Sequence, residues 1–411
     1  MVLPSYNLNH LYRYIHKASC MKKILPALLL FMLYIYSDCY GQNRSIIFIE
    51  KPWSELLTMA NDQKKLIFMD AYTSWCGPCK WIAANMFTKD SVADYYNKTF
   101  ICAHFDMEKG EGLELAGMFQ VKGYPSLLFI NPSGKLVHKR VGAPQKIQDY
   151  LEMGKNALTP GEGLSDCMKS YQEGNRNPKF IRKYIDRLQG AYMPFNEPLV
   201  QYFETQKESD LLNRTNWEMM FQYLSDTESR EFGYLLKHQK DFERLYTRDS
   251  VNSKIFSTYL QMLVAISRNR SFSEENYNQL KQKIRDSGYS GAEKVIFTAD
   301  LSIYGSDKFF DIACSGIDKW YSDDYDMLNR IATAFLKNTE EVKYLEKAAG
   351  WAKKSIAMKS KADNNDTYAN LMFKLGNKKE AIEYETKAID LARKDKASTK
   401  ELEASLRKFQ E

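Results

Sequence analysis

The rhythm of apolar positions changes near residue 160. Between 45 and 155 two periods alternate. "SIIFIE" and "KKLIFMDAY" are short β-branched, aliphatic and aromatic runs, the pattern of strands. "PWSELLTMANDQ" between them has helical spacing, with Pro52 near its start. Lys80 to Tyr96 predicts one long helix with Trp81, Ile82, Met86 and Phe87 on one side. "TFICAHFDM" predicts a third strand and "GLELAGMF" a short helix. "PSLLFI" and "KLVHKRV", joined by the turn-forming "NPSG", predict a strand hairpin, and "QKIQDYLEMGKNAL" a closing helix. The order β-α-β-α-β-α-β-β-α implies an α/β layer fold with a mixed central sheet. In such sheets, reaction sites lie at the carboxyl ends of strands.

"TPGEG" at 159–163 breaks the pattern and reads as a linker, and strand signals almost vanish after it. From Leu164 onward the chain is a series of helical patches broken at "NRNP", "YMPFNEP" and "DSGYSG". Near the end, "TYANLMFKLGNKKEAIEYETKAIDLA" reads as two helices joined at Gly376-Asn377, with Ala381 and Ala388 at close-packing positions. Ala348 and Ser355 lie 33 residues before those alanines, so a looser copy precedes it. A period near 34 with small residues at crossings resembles the tetratricopeptide repeat. The expected division is an N-terminal extension with a signal over 1–41, an α/β domain over 42–157, a linker over 158–163 and an α-helical domain over 164–411. Repeat-like hairpins are expected near 329–396.

Composition changes this picture little: 44% hydrophobic and 27% charged residues over 411 positions suit a globular body of more than one domain. Charge needs correcting. Of the net +6, Arg13, Lys17, Lys22 and Lys23 against Asp38 supply +3 before residue 42. The remaining +3, with no basic patch interleaved with aromatics, gives no support to nucleic-acid binding. From Met21, an alternative start, "MKKILPALLLFMLYIYSDCYGQN" has the three-part layout of a secretory signal. The expected location is therefore periplasmic or secreted after cleavage. Lipid attachment at Cys39 and an uncleaved membrane anchor are the alternatives.

With Cys20 and Cys39 removed, five cysteines remain, and only Cys76 and Cys79 form a close pair. A structural staple there would close a very small ring and contribute little. Zinc needs four ligands, and neither a second pair nor clustered histidines exist. A redox pair gains from its setting, because a helix opening near Cys76 offers unpaired N–H groups to a thiolate. Cys76 is then expected to face a partner and Cys79 to be shielded. Cys102, Cys167 and Cys314 read as small buried hydrophobes.

Trp75-Cys76-Gly77-Pro78-Cys79-Lys80 resembles the active-site motif of the thioredoxin family, and the resemblance extends over roughly 45–155. Asp70, six residues before Cys76, corresponds by that resemblance to the family's buried acid, which assists proton transfer at the second cysteine. Gly123-Tyr124-Pro125 corresponds to its cis-proline loop, which faces the cysteines and pairs with substrate backbone. The resemblance implies a thioredoxin-like α/β fold and thiol–disulfide exchange at Cys76 and Cys79, supported by Trp75, Gly77, Pro78, Lys80 and Tyr124. It implies no cofactor beyond the cysteine pair, protein substrates with disulfides, and an electron-donor protein such as a membrane thiol–disulfide carrier. Two departures stand out: Cys102 falls where the family usually has a lysine near the acid, and Tyr124 replaces the usual Thr or Ile. Reduction is the expected direction, with oxidase or isomerase chemistry as alternatives. A different class of function is an adaptor whose helical domain holds a peptide or protein partner.

Overall fold

The computed structural model describes residues 44–267 and 273–411. The predicted signal and Cys39 lie outside the described residues. Two compact units divide the chain, the first ending at Thr205 and the second beginning at Gln206.

In the first unit, α1 (Trp53–Gln63) leads into β1 (Ile67–Tyr72), α2 (Gly77–Asn85), α3 (Asp90–Thr99), β2 (Ile101–Asp106) and α4 (Gly112–Met118). The hairpin β3 (Ser126–Ile130) and β4 (Leu136–Val141) follows, then α5 (Ile147–Leu158). The strand order is β2-β1-β3-β4, parallel between β1 and β2 and antiparallel elsewhere. Alternation along the central strands sends side chains to two separate cores. Phe68 and Phe129 join Tyr96, Phe100 and Tyr150 on one face, while Ile67, Met69, Leu128 and Ile130 meet Leu56 and Leu115 on the other. The hairpin turn closes as its residues dictate: Asn131 Oδ1 accepts the N–H groups of Ser133 and Lys135, and Gly134 takes φ +78°.

Two predicted elements come out differently. "SIIFIE" is extended but forms no ladder. It makes single bonds, from Ile46 N–H to Phe87 O and from Ile49 N–H to Cys102 O. The helix expected over Lys80–Tyr96 breaks at Met86, where a turn returns Lys89 N–H to Met86 O. One straight helix could not bury both Met86 and Phe87 on the face carrying Ile82. The turn swings Phe87 into edge contact with Phe68 and Tyr150.

Helices α6 (Leu164–Gln172), α7 (Pro178–Gly190) and α8 (Asn196–Glu204) belong with the sheet, so the first unit ends later than the expected linker at 158–163. The reason is the edge of β4. Ser165 Oγ donates to Val137 O at 3.1 Å, and Gly190 packs close to Arg140, so α6 and α7 cover a strand otherwise open to pairing.

The second unit is helical from α9 (Arg214–Tyr223) through α10 (Arg230–Lys237), α11 (Gln239–Tyr246), α12 (Arg248–Ser267), α13 (Glu274–Asp286), α14 (Ala292–Ile303) and α15 (Ser306–Trp320). It ends with α16 (Tyr325–Asn338), α17 (Val342–Met358), α18 (Ala362–Lys374), α19 (Lys378–Lys394) and α20 (Lys400–Gln410). Ala348, Ser355, Ala381 and Ala388 are fully buried where helices cross. Tyr344 donates to Asp311 and Trp351 to Asp318, two bonds that each span 33 residues. The core of these last hairpins is aromatic, built on Phe310, Phe335, Tyr344 and Trp351.

Candidate active site

Strand β1 delivers the chain to the cysteines, and its register decides what faces them. After Tyr72 the backbone turns so that Cys76 N–H donates to Thr73 O at 3.1 Å. Cys76 is the N-cap of α2, with extended backbone (φ −67°, ψ 107°), and its sulfur accepts the Cys79 N–H at 3.1 Å. Pro78 sits in the first turn, where a missing N–H costs nothing. Cys76 and Cys79 are joined as a disulfide with their Cα atoms 5.3 Å apart. A helix N-terminus is a setting that in general favours a thiolate over a thiol.

The sequence suggested an open Cys76 over a shielded Cys79. In the oxidised pair both are covered, 2% and 4% exposed. In this state the Cys76 sulfur lies against the first turn of α2, bonded to Cys79 and accepting its N–H. Gly77, Pro78 and Lys80 stay exposed on that turn. Trp75 stands out from the surface at 66% exposure, but it is not loose. Its indole Nε1 donates to Glu108 Oε2 at 2.9 Å, and its ring meets Tyr124 edge-on at a centroid distance of 6.0 Å. That contact brings the cysteine loop to the loop before β3, where the Tyr124–Pro125 bond is cis. Pro125 O accepts the Gly142 N–H at 2.8 Å, so the residue after β4 is tied to the same loop.

Asp70 lies within β1, opposite His104 on β2 and Leu127 on β3. It is 5% exposed, and its Oδ1 has no hydrogen-bond partner among the described residues. Burial away from water raises its pKa from 3.8 to about 7. Near neutral pH such a carboxyl can both take and return a proton.

The suggestion that Cys102 stands beside the acid needs correcting. Cys102 pairs with Phe68, two residues off, and lies in the apolar cluster, where burial pushes its thiol up to about 12. His104 takes the cross-strand position, its ring stacked on Phe48 at 4.9 Å and its pKa lowered chiefly by desolvation. Glu108 was also missed. Its bond to Trp75 spans 33 residues, and no local pattern announces such a contact. Cys167 is buried and Cys314 half-buried, and burial raises both thiols. No cluster of three or more metal-ligating side chains occurs among the described residues. Nor is any helix among them long and apolar enough to cross a membrane.

The family model named thioredoxin matches residues 49–153. Thioredoxin H-type 2 from Nicotiana tabacum is 37% identical over 91 residues, which are 22% of this chain and 71% of that protein. A protein disulfide-isomerase from Hordeum vulgare is 29% identical over 115 residues, 28% of this chain and 21% of that one. Among solved structures, a candidate disulphide-isomerase from Bacteroides thetaiotaomicron is 42% identical, covering 29% of this chain and 97% of that one with a TM-score of 0.27. The family match runs over the same strands and helices that carry the cysteine pair and the cis-proline loop, and the tobacco relative is spanned over most of its length. Through residues 49–153 the chain belongs to the thioredoxin family, and it is a thiol–disulfide oxidoreductase.

Proposed function

We propose that the protein is an exported reductase of protein disulfides, working through Cys76 and Cys79. The observation that carries this reading is the cysteine pair at the N-terminus of α2, fed by the strand that holds buried Asp70. The Cys76 thiolate attacks one sulfur of a substrate disulfide, forming a mixed disulfide and releasing one substrate thiolate, which takes a proton from solvent. Cys79 then gives its proton to the Asp70 carboxylate, directly or through water, and attacks the Cys76 sulfur. The mixed bond breaks, the second substrate thiol leaves, and the enzyme pair is left oxidised. Two electrons have moved to the substrate, and a dithiol donor protein restores them by the reverse exchange. The site needs no cofactor beyond its sulfurs. Trp75, Gly77, Pro78 and Lys80 shape the approach to Cys76, and Tyr124-Pro125 offers backbone to the substrate.

Reduction is favoured over oxidation by the Gly-Pro dipeptide, which in this family accompanies the reducing end of a scale running from about −270 mV to about −120 mV. Export is favoured by Lys22-Lys23 and the apolar run behind them. Trapping tests the substrate claim. Cys79→Ser is expected to hold substrate proteins on Cys76 as mixed disulfides, and an oxidising extract yielding none would remove the main support. A measured potential above about −150 mV would reverse the direction.

An adaptor is the second reading, favoured by the stacked hairpins α14–α19, whose small buried residues and 33-residue bond spacing support tetratricopeptide-like character. Full function in cells of a Cys76→Ala/Cys79→Ala variant would favour it.

A further inference from the structure

Helix α7 ends in an unusual way. Met193 N–H bonds Leu188 O, and between them Tyr192 adopts φ +54°, a conformation that suits glycine and strains an aromatic residue. Its side chain is nevertheless 63% exposed, so no core contact explains the choice.

What the ring touches does suggest a reason. A Cβ built on Gly123 would lie 3.6 Å from Tyr192 Cδ2, and one built on Gly142 would lie 3.8 Å from the tyrosine hydroxyl. Gly123 is two residues before Pro125, and Gly142 N–H is bonded to Pro125 O. The ring therefore lies within ordinary contact range of positions on both sides of the cis-proline loop. Tyr192 lies outside the span of the family match, on a helical addition. It also lines a cavity of about 470 Å³ between the sheet edge and that addition, together with Met118, Val141, Met168 and Met193. Lys122, next to Gly123, is at the same cavity and makes no ion pair among the described residues, while Lys135 is at its far end by the hairpin turn. Flexible thioethers and an aromatic wall accept varied apolar side chains, and a free ammonium group favours a carboxylate.

We propose that Tyr192 and this cavity form a subsite for the substrate polypeptide, taking an apolar side chain near the disulfide cysteine and an acidic residue beside it. The inference rests on the reductase reading, because the cis-proline loop matters only if substrate backbone lies along it. Tyr192 is a specificity residue here and takes no part in the exchange itself.

The test uses the full chain and two peptides, each with one internal disulfide, flanked either by Leu and Glu or by Ser and Lys. A small neutral disulfide, hydroxyethyl disulfide, reports the chemistry alone. Calorimetry of the Leu/Glu peptide with its cysteines replaced by serine reports binding without turnover. The pre-reduced protein is expected to favour the Leu/Glu peptide by about tenfold in second-order rate. Tyr192→Gly, which relaxes the backbone and so keeps the fold, is expected to remove that preference and the calorimetric binding while leaving hydroxyethyl disulfide within about twofold. Tyr192→Phe should keep both, and Lys122→Gln should lose only the advantage of Glu. Equal rates for the two peptides, or an equal loss on peptide and small disulfide in Tyr192→Gly, would overturn the subsite. Peptide binding without reduction of either disulfide would uphold the subsite and sink the reductase reading instead.

Discussion

Replacing Asp70 by Asn probes the most unusual group in the sheet. The carboxyl is buried with one oxygen that has no partner among the described residues, and burial away from water raises its pKa from 3.8 to about 7. A raised acid binds its proton more tightly in the folded chain than in the unfolded one. Stability therefore falls as pH climbs from about 4 to about 7, and the whole deficit is present above that. A shift of roughly three units at about 1.4 kcal/mol each sets the deficit at about 4 kcal/mol at most. Asn has nearly the same shape and no charge. Near pH 4 the two chains should be close in stability, and at pH 8 the oxidised Asp70→Asn protein should be more stable by about 2–4 kcal/mol. Hydrogen exchange of the β1 and β3 amides, measured by mass spectrometry on the intact chain at both pH values, reads this locally. A difference that does not change with pH would refute the reasoning, because only an ionising group produces the slope. The functional counterpart is slower resolution of the mixed disulfide, with the pH dependence near 7 lost.

In the second unit, Glu385 is buried beside Asp366, and burial, with the neighbouring carboxyl adding to it, raises its pKa above the ordinary carboxylate range. Stability of that unit should fall as pH rises above the ordinary carboxylate range, and Glu385→Gln should flatten the trend in urea titrations. Phe335→Ala opens the aromatic core shared by Phe310, Tyr344 and Trp351, and should cost about 3–5 kcal/mol by the same measurement. In the reduced chain at pH 7, iodoacetamide should modify Cys76 first and spare Cys102, whose thiol burial has pushed up to about 12. Peptide mapping gives the order, and early labelling of Cys102 would contradict its burial.

Much of the sheet was legible because its strands are short apolar runs bounded by turn chemistry, as at "NPSG". Cys76 and Cys79 stood out as a close pair, while Asp70 and Pro125 were singled out only through the family resemblance; the structure joins the first two as a disulfide, buries Asp70 and makes the Tyr124–Pro125 bond cis. What escaped depends on partners remote in the chain. "SIIFIE" has a strand's composition but meets only isolated acceptors, and composition cannot count ladder bonds. The break at Met86 follows from what Phe87 must reach, a demand set by Phe68 and Tyr150 rather than by neighbours in sequence. The exchange of His104 for Cys102 opposite Asp70 is a two-residue matter of parallel register, which no single strand specifies alone. Helices after 164 looked like the start of another domain because their contact with β4 lies in the pairing of surfaces and not in any periodicity.

The position of β1 between β2 and β3 orders events during synthesis. Ile67 pairs with Ile130, so that side of the sheet has nothing to zip against until the ribosome has passed the hairpin. Until then the run that ends at Tyr72 can pair only with β2 and keeps its other edge bare, exposed to any chaperone or stray strand nearby. The last hairpins face no such delay. Each leans on the one just made, and they can settle in turn as they emerge.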